Sequence, residues 1–405
     1  MTTTAIPKSY TRLSELLPSL KAIAILWIVL YHIWAYTKGY LKFSEIAEIL
    51  TGNGVKGLVE GLLNLFCSMG EQGVHIFLIA SGFGLATSWW KSYQKTPNNP
   101  NIIALIPFWK RRLLRIFPLY WIAHIFALLI YLINPEWVPF GQEVWSQGGL
   151  TIAAAFFASL TTLRNFIMPF YTFLNGAWWY VGLIVQLYFV FPFLIRWGKR
   201  WGWQNLLINS VVISLLYRGL IVLLPVSDTI TDRLLRGAFF PSRLFKFVLG
   251  IVLAIALLEQ NSGSDKLLNW SHNLLFKRRW LGFLIIFWAL GLACDWGSES
   301  GLMAWRIPAD FFLGIGEFFA LFQIINYLPS LKPWLNPIGD TSYGIYLIHM
   351  NLETGLWVGM SFISFYWLRL FVVVAIACFL GGLFDIAGNW IIKQGLKNSL
   401  FSSAK

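Results

Sequence analysis

The chain is predicted to be an all-α, polytopic transmembrane helical bundle, and three observations lead there. Of its 405 residues, 57% are hydrophobic and 12% charged, about half the charge usual for a soluble protein. Apolar windows of about 20 residues recur from end to end, each long enough to cross a hydrocarbon core of roughly 30 Å. These windows are continuous rather than alternating, which argues against a closed β-barrel, the other architecture that spans a bilayer.

Ten spans are expected, at about 20–37, 72–91, 113–134, 177–197, 205–225, 241–258, 280–296, 308–328, 341–360 and 366–391. The formal net charge of +13 is not a nucleic-acid footprint, because the basic residues collect in short loops between apolar runs. One set of loops carries Lys110, Arg111, Arg112 and Arg115, then Arg196, Lys199 and Arg200, then Lys277, Arg278 and Arg279. Lys38, Lys42, Lys56, Arg233 and Arg236 fall on the other side, yet the bias places both termini in the cytoplasm. Counting "LTIAAAFFASLTTLRNF" (150–166) as a span would invert every later loop, so it is placed as an interfacial or re-entrant helix. "LVEGLLNLFCSM" (58–69) is either another such helix or an early start to the second span. The run after the polar first 18 residues exceeds a usual signal h-region and is expected to be retained. Three cysteines make neither a CxxC pair nor an even disulfide set, so no metal site is expected. One membrane-embedded domain is read over 8–395, with a cytoplasmic tail at 396–405.

Five stretches carry possible chemistry. In "SLKAIAILWIVLYHIWAY" (19–36), Lys21 and His32 are eleven residues apart, which puts them within about 20° of one helix face and roughly 16 Å apart along it. Two readings stay open: a snorkelling lysine with a hydrogen-bonded histidine, or a functional pair. In "FWKRRLLRIFPLYW" (108–121), Arg111, Arg112 and Arg115 offer planar donor forks suited to phosphate, whereas a topology anchor needs only scattered Lys or Arg. "GVHIFLIASGFGLA" (73–86) brings small residues for close helix packing, and His75 near a span end. "AWWYVGLIVQLYFVFPFL" (177–194) is an aromatic belt leading into Gln186, and "IGDTSYGIYLIHM" (338–350) holds Ser342, Tyr343, Tyr346 and His349. Glu317 and Asp385 also fall inside spans, as structural partners or as substrate contacts.

Taken in order, these stretches resemble the acyltransferase-3 family of bacterial membrane acyltransferases. Lys21 and His32 match its basic residue, ten residues, then His. Gly73-Val74-His75-Ile76-Phe77 with Ser81-Gly82-Phe83 match its second motif, and Phe108, Arg111, Arg112, Arg115, Ile116, Pro118, Tyr120 and Trp121 its third. The Trp179–Tyr188 and Ser342–His349 stretches complete the set. Three positions depart from the pattern. Lys21 replaces the usual Arg, His75 replaces an Asp, and Ile184 and Val185 stand where many O-acetyltransferases have a Glu.

The resemblance implies transfer of an acyl group, usually acetyl, from cytoplasmic acyl-CoA to a hydroxyl of a cell-envelope or exopolysaccharide sugar. It implies a multi-pass protein of the bacterial inner membrane, with lipid, acyl-CoA and a glycan as partners and neither nucleic acid nor metal. His32 would be catalytic, and Lys21, Arg111, Arg112 and Arg115 would hold CoA phosphates. His75, Tyr120, Trp179, Tyr343, His349 and Glu317 would be candidates for the substrate site, with His75 and His349 having weaker claims on the chemistry than His32. A transporter is the rival from another class, but no inverted repeat is visible.

The charge pattern generates a topology test. A cysteine reagent that cannot cross the membrane is expected to miss residues 196–200 and 266–279 in intact cells. Labelling of those loops from outside would overturn the map.

Overall fold

The computed structural model describes residues 7–52, 54–95, 103–259 and 265–402, and those residues form α-helices and short 3-10 or π turns with no strand. In chain order the helices are α1 (Lys8–Lys38), α2 (Phe43–Thr51), α3 (Gly54–Ser68), α4 (Gly73–Lys95), α5 (Leu105–Ile133) and α6 (Gln142–Trp145). Then come α7 (Gly149–Leu160), α8 (Trp179–Trp201), α9 (Trp203–Leu223), α10 (Asp228–Arg233), α11 (Leu244–Leu258) and α12 (Asp265–Phe276). The last are α13 (Leu281–Gly297), α14 (Arg306–Asn326), α15 (Lys332–Asp340), α16 (Ser342–Gly359) and α17 (Tyr366–Ser402).

Among the described residues nine helical runs are long and apolar enough to span a membrane, one fewer than the ten expected. The difference is α16. Its 18 residues rise about 27 Å, nearly a bilayer core, but His349, Asn351, Glu353 and Thr354 break its apolar run. The segment at 58–69 lies in its own helix, α3, joined to α4 by a 3-10 turn over Met69–Gln72. Helix α7 has 12 residues and rises about 18 Å, too little to cross. Helix α17 continues through the expected domain boundary at 395/396 to Ser402; residues 403–405 of the expected tail lie outside the described residues.

The chain divides into two compact units. The first comprises Met1–Ala24, Gln72–Phe108 and Gln186–Asn336. At its centre is α11, buried on every side, as a helix apolar all round must be. It packs on α4 at backbone distance: a Cβ on Gly82 would strike the carbonyl of Phe247, and one on Gly250 the carbonyl of Ile79. Small residues that let backbones meet are the usual device where lipid removes the hydrophobic drive between helices. Helices α13 and α14 pair in the same way, with Gly291 against Leu313 and Gly316 against Trp288. Gln186 closes a weak point in this unit. Its Nε2 donates to the Ala238 carbonyl at 2.9 Å and its Oε1 accepts from the Phe240 N–H at 3.0 Å, beside Gly237 at φ 137°.

The second unit comprises Ile25–Glu71, Trp109–Val185 and Pro337–Lys405. Helix α3 is pinned to α1 by two indoles: Trp34 donates to Asn64 Oδ1 at 2.8 Å and Trp27 to the Phe66 carbonyl at 2.7 Å. Helices α16 and α17 lie together, and Asp385 joins them. Its Oδ1 accepts from the Gly344 N–H and its Oδ2 from Asn389, both at 2.9 Å. Of its two open readings, Asp385 takes the structural one.

The contact between α4 and α11 can be tested with neighbouring glycines. Gly82→Ala is expected to destabilise detergent-solubilised protein by about 1–3 kcal/mol through overpacking. Gly84→Ala, where a Cβ meets nothing within 4 Å, is expected to leave the unfolding midpoint unchanged or raise it.

Candidate active site

In the second unit α1 supplies His32 and α16 supplies His349, and the two imidazoles lie 5.1 Å apart between ring centres, tilted by 38°. His32 is half-buried and His349 fully buried. The Nδ1 of His349 sits 2.7 Å from the Tyr346 carbonyl oxygen. A carbonyl only accepts, so Nδ1 carries the hydrogen, and in the neutral ring Nε2 then presents a lone pair. That Nε2 is buried and meets no hydrogen-bond donor among the described residues. His349 is therefore next to His32, a neighbour that the sequence did not reveal.

The position of α16 is set by the segment after α7. Asn175 and Trp178 both donate to the Leu347 carbonyl, at 3.3 and 2.8 Å. One turn on, Asn351 accepts from Asn175 at 2.7 Å and donates to the Leu174 carbonyl at 2.8 Å. Tyr346 donates to the Ala177 carbonyl. Behind this segment Arg164, fully buried, donates to the carbonyls of Tyr171 and Asn175 and to Ser159 Oγ. Arg164 lies outside the spanning helices, and burial lowers its pKa. Its guanidinium faces the Trp178 ring at 5.7 Å. The same ring has His124 at 4.2 Å and Tyr120 at 5.2 Å between centres.

The other residues singled out from sequence are placed as follows. Tyr120 is buried and donates to the Ser159 carbonyl at 2.9 Å, so its hydroxyl serves the fold. Tyr343 donates to the Ile116 carbonyl at 3.0 Å. Trp179 is half-buried, and its carbonyl accepts from Asn165; the neighbouring Trp178 is the indole built into the buried segment. On α5, Arg111 and Arg115 are exposed and Arg112 is half-buried, all in the second unit. Lys21 is half-buried on α1 and belongs to the first unit.

His75 and Glu317 also belong to the first unit, in a buried charge network. Arg243 donates through NH1 to His75 Nε2 at 3.0 Å. Since arginine only donates, Nε2 of His75 is the acceptor, and Nδ1–H donates to Glu317 Oε2 at 3.1 Å. Arg243 also pairs with Asp310, whose Oδ1 accepts from Lys246 Nζ at 2.5 Å and lies 3.6 Å from Arg218. Three cations thus converge on one buried carboxylate. Beyond them Asp232 pairs with Arg236 and Arg306. Burial pushes the Asp232 carboxyl up, but the two guanidiniums outweigh it and hold it below the usual carboxylate range.

Sequence reading overlooked Arg164, Asn175, Asn351 and Glu353 in the second unit, and Arg218, Arg243, Lys246 and Asp310 in the first. Lys246 and Asp310 stood inside expected spans, where a charge is a signal in itself. Arg164 and Asn175 lay in an interhelical segment and gave no such signal. Among the described residues no group of three or more His, Cys, Asp or Glu is gathered as metal ligands would be.

The family model described as an acyltransferase domain matches residues 17–385. No curated protein and no solved structure matches the chain.

The buried network makes a stability prediction. Asp310→Ala leaves Arg243, Lys246 and Arg218 without their shared carboxylate and is expected to cost roughly 3–5 kcal/mol, the usual loss when one partner of a buried pair is removed. Thermal unfolding of the solubilised protein measures it; a midpoint within 2 °C of wild type would show that the network is not structural.

Proposed function

The chain belongs to the acyltransferase-3 family and is an integral-membrane acyltransferase, and we propose from that premise that it moves an acyl group, acetyl in the family's usual case, from cytoplasmic acyl-CoA to a hydroxyl of a cell-envelope or exopolysaccharide sugar. The membrane is the bacterial inner membrane, and both termini are cytoplasmic. The observation that carries this reading is the contact between His32 and His349 in the second unit. Two imidazoles this close inside a membrane protein are poor structural ballast, because each must be desolvated and hydrogen-bonded.

The chemistry follows from what each group can do. Arg111, Arg112 and Arg115 bind the CoA phosphates, with exposed Arg111 and Arg115 offering planar forks to the polyanion. Lys21 lies about 16 Å along α1 from His32, a span comparable with the reach of the pantetheine arm. His32 is the base or the transient acyl carrier. As base it takes the hydroxyl proton while the acceptor oxygen bonds to the thioester carbonyl carbon. The tetrahedral adduct then collapses, the C–S bond breaks, and the CoA thiolate leaves with the proton from the imidazole. Glu317 and His75 hydrogen-bond each other within the first unit's charge network.

The test is transfer from radiolabelled acetyl-CoA to isolated envelope glycan by the purified protein. His32→Ala is expected to lower the rate by about 10²–10⁴-fold while CoA binding and the unfolding midpoint stay near wild type. Arg115→Ala is expected to weaken CoA binding instead. Near-normal turnover by folded His32→Ala protein removes this histidine from the mechanism, and absence of label transfer by wild type removes the reaction.

A further inference from the structure

Helix α16 keeps more buried polar acceptors than its fold uses. Its Leu347 and Asn351 face is engaged by Asn175, Trp178 and the Leu174 carbonyl. Its other polar face carries His349 and Glu353. Four residues apart, these two project from neighbouring turns on one side of the helix, about 6 Å apart along the axis. Both are buried, at 0% and 1% exposure. The Nε2 of His349 and the Oε2 of Glu353 meet no hydrogen-bond donor among the described residues. With its hydrogen fixed on Nδ1 by the Tyr346 carbonyl, His349 can only accept at Nε2 in its neutral form.

Two buried acceptors without donors on one helix face are costly, since each forfeits its hydration without replacement. The chemistry that satisfies them is a ligand rich in donors. An apolar acceptor would leave both unmet, and an acidic one would bring an unpaired charge into the same buried site. A neutral sugar meets the requirement, because one ring offers several hydroxyls at fixed separations.

We propose that the His349–Glu353 face of α16 seats a neutral polyhydroxylated acceptor, with one hydroxyl donating to His349 Nε2 and another to the Glu353 carboxyl. This rests on the acyl-transfer reading for its catalytic consequence and names the acceptor class of that site. A third hydroxyl of the same ring, its hydrogen engaged by neither His349 nor Glu353, is thereby held beside His32, whose ring lies 5.1 Å from that of His349. Glu353 does not touch the reacting bond and acts by fixing the sugar's orientation.

The test uses full-length protein in detergent with methyl β-glucoside and methyl β-galactoside as probes, and reads two quantities. The first is the acceptor KM with acetyl-CoA as donor. Glu353→Ala is expected to raise it about tenfold, the equivalent of one lost hydrogen bond, with the KM for acetyl-CoA unchanged. Glu353→Gln keeps an acceptor oxygen and is expected to return the KM to within about threefold of wild type. The second is binding without turnover: either glycoside raises the wild-type unfolding midpoint saturably, and Glu353→Ala abolishes the rise. Glu353→Met fills the same volume without an oxygen and carries the same expectation if the Ala variant does not fold.

Equal acceptor KM in wild type and Glu353→Ala, or equal stabilisation of both by glycoside, overturns the proposal. So does the absence of any saturable response in wild type, which would mean that water alone occupies the face. Glycoside binding that depends on Glu353, without acyl transfer by wild type, would sustain this site and sink the reaction. Transfer that is indifferent to Glu353 would do the reverse.

Discussion

The Leu347 carbonyl receives two side-chain hydrogen bonds, from Trp178 and Asn175, and the arrangement of the candidate site depends on them. Helix α16 is too polar to be held by lipid-facing apolar surface alone. It is held where an irregular segment, braced by buried Arg164, offers donors to one side of it. Irregular backbone is tolerated at such a place only when its own groups are satisfied by protein. The carbonyls of Tyr171, Leu174, Asn175 and Ala177 all are, by Arg164, Asn351 and Tyr346. Fixing one face of α16 in this way fixes the other, and with it the approach of His349 to His32.

The first unit solves a similar problem with charge. Lys246 is fully buried in the first turn of an otherwise apolar helix, and its ammonium is compensated by Asp310, which Arg243 and Arg218 share. Extra positive charge beside a single carboxylate is offset by dipoles: Arg218 donates to the carbonyls of Leu235 and Arg306, and Arg243 to that of Arg236. His75 stands where the family pattern has an acid, and it couples the network to Glu317. A histidine can accept from arginine with one nitrogen and donate to a carboxylate with the other. A carboxylate at that position would instead repel Glu317. The departure from the family motif is thus coherent with its neighbours.

The sequence by itself determined the fold class, because continuous apolar windows admit only helices across a bilayer. It also determined that 150–166 does not cross, from the sign of the loops, and that helix α1 carries both Lys21 and His32. Helix α16 is present as the tenth long helix it expected, but four clustered polar residues break its apolar run, so that nine of the ten pass as spans by length and composition alone. What only the tertiary structure decided is which polar groups meet. His349 looked like one intramembrane histidine among several until α16 was set against α1. Asp310, Lys246, Arg164 and Glu353 carried no motif; Asp310 meets Lys246 across 64 residues of chain, and His75 meets Glu317 across 242. Local periodicity records which residues leave water. Hydrogen bonds and ion pairs between distant helices decide how each buried polar group is satisfied, and that information is not local.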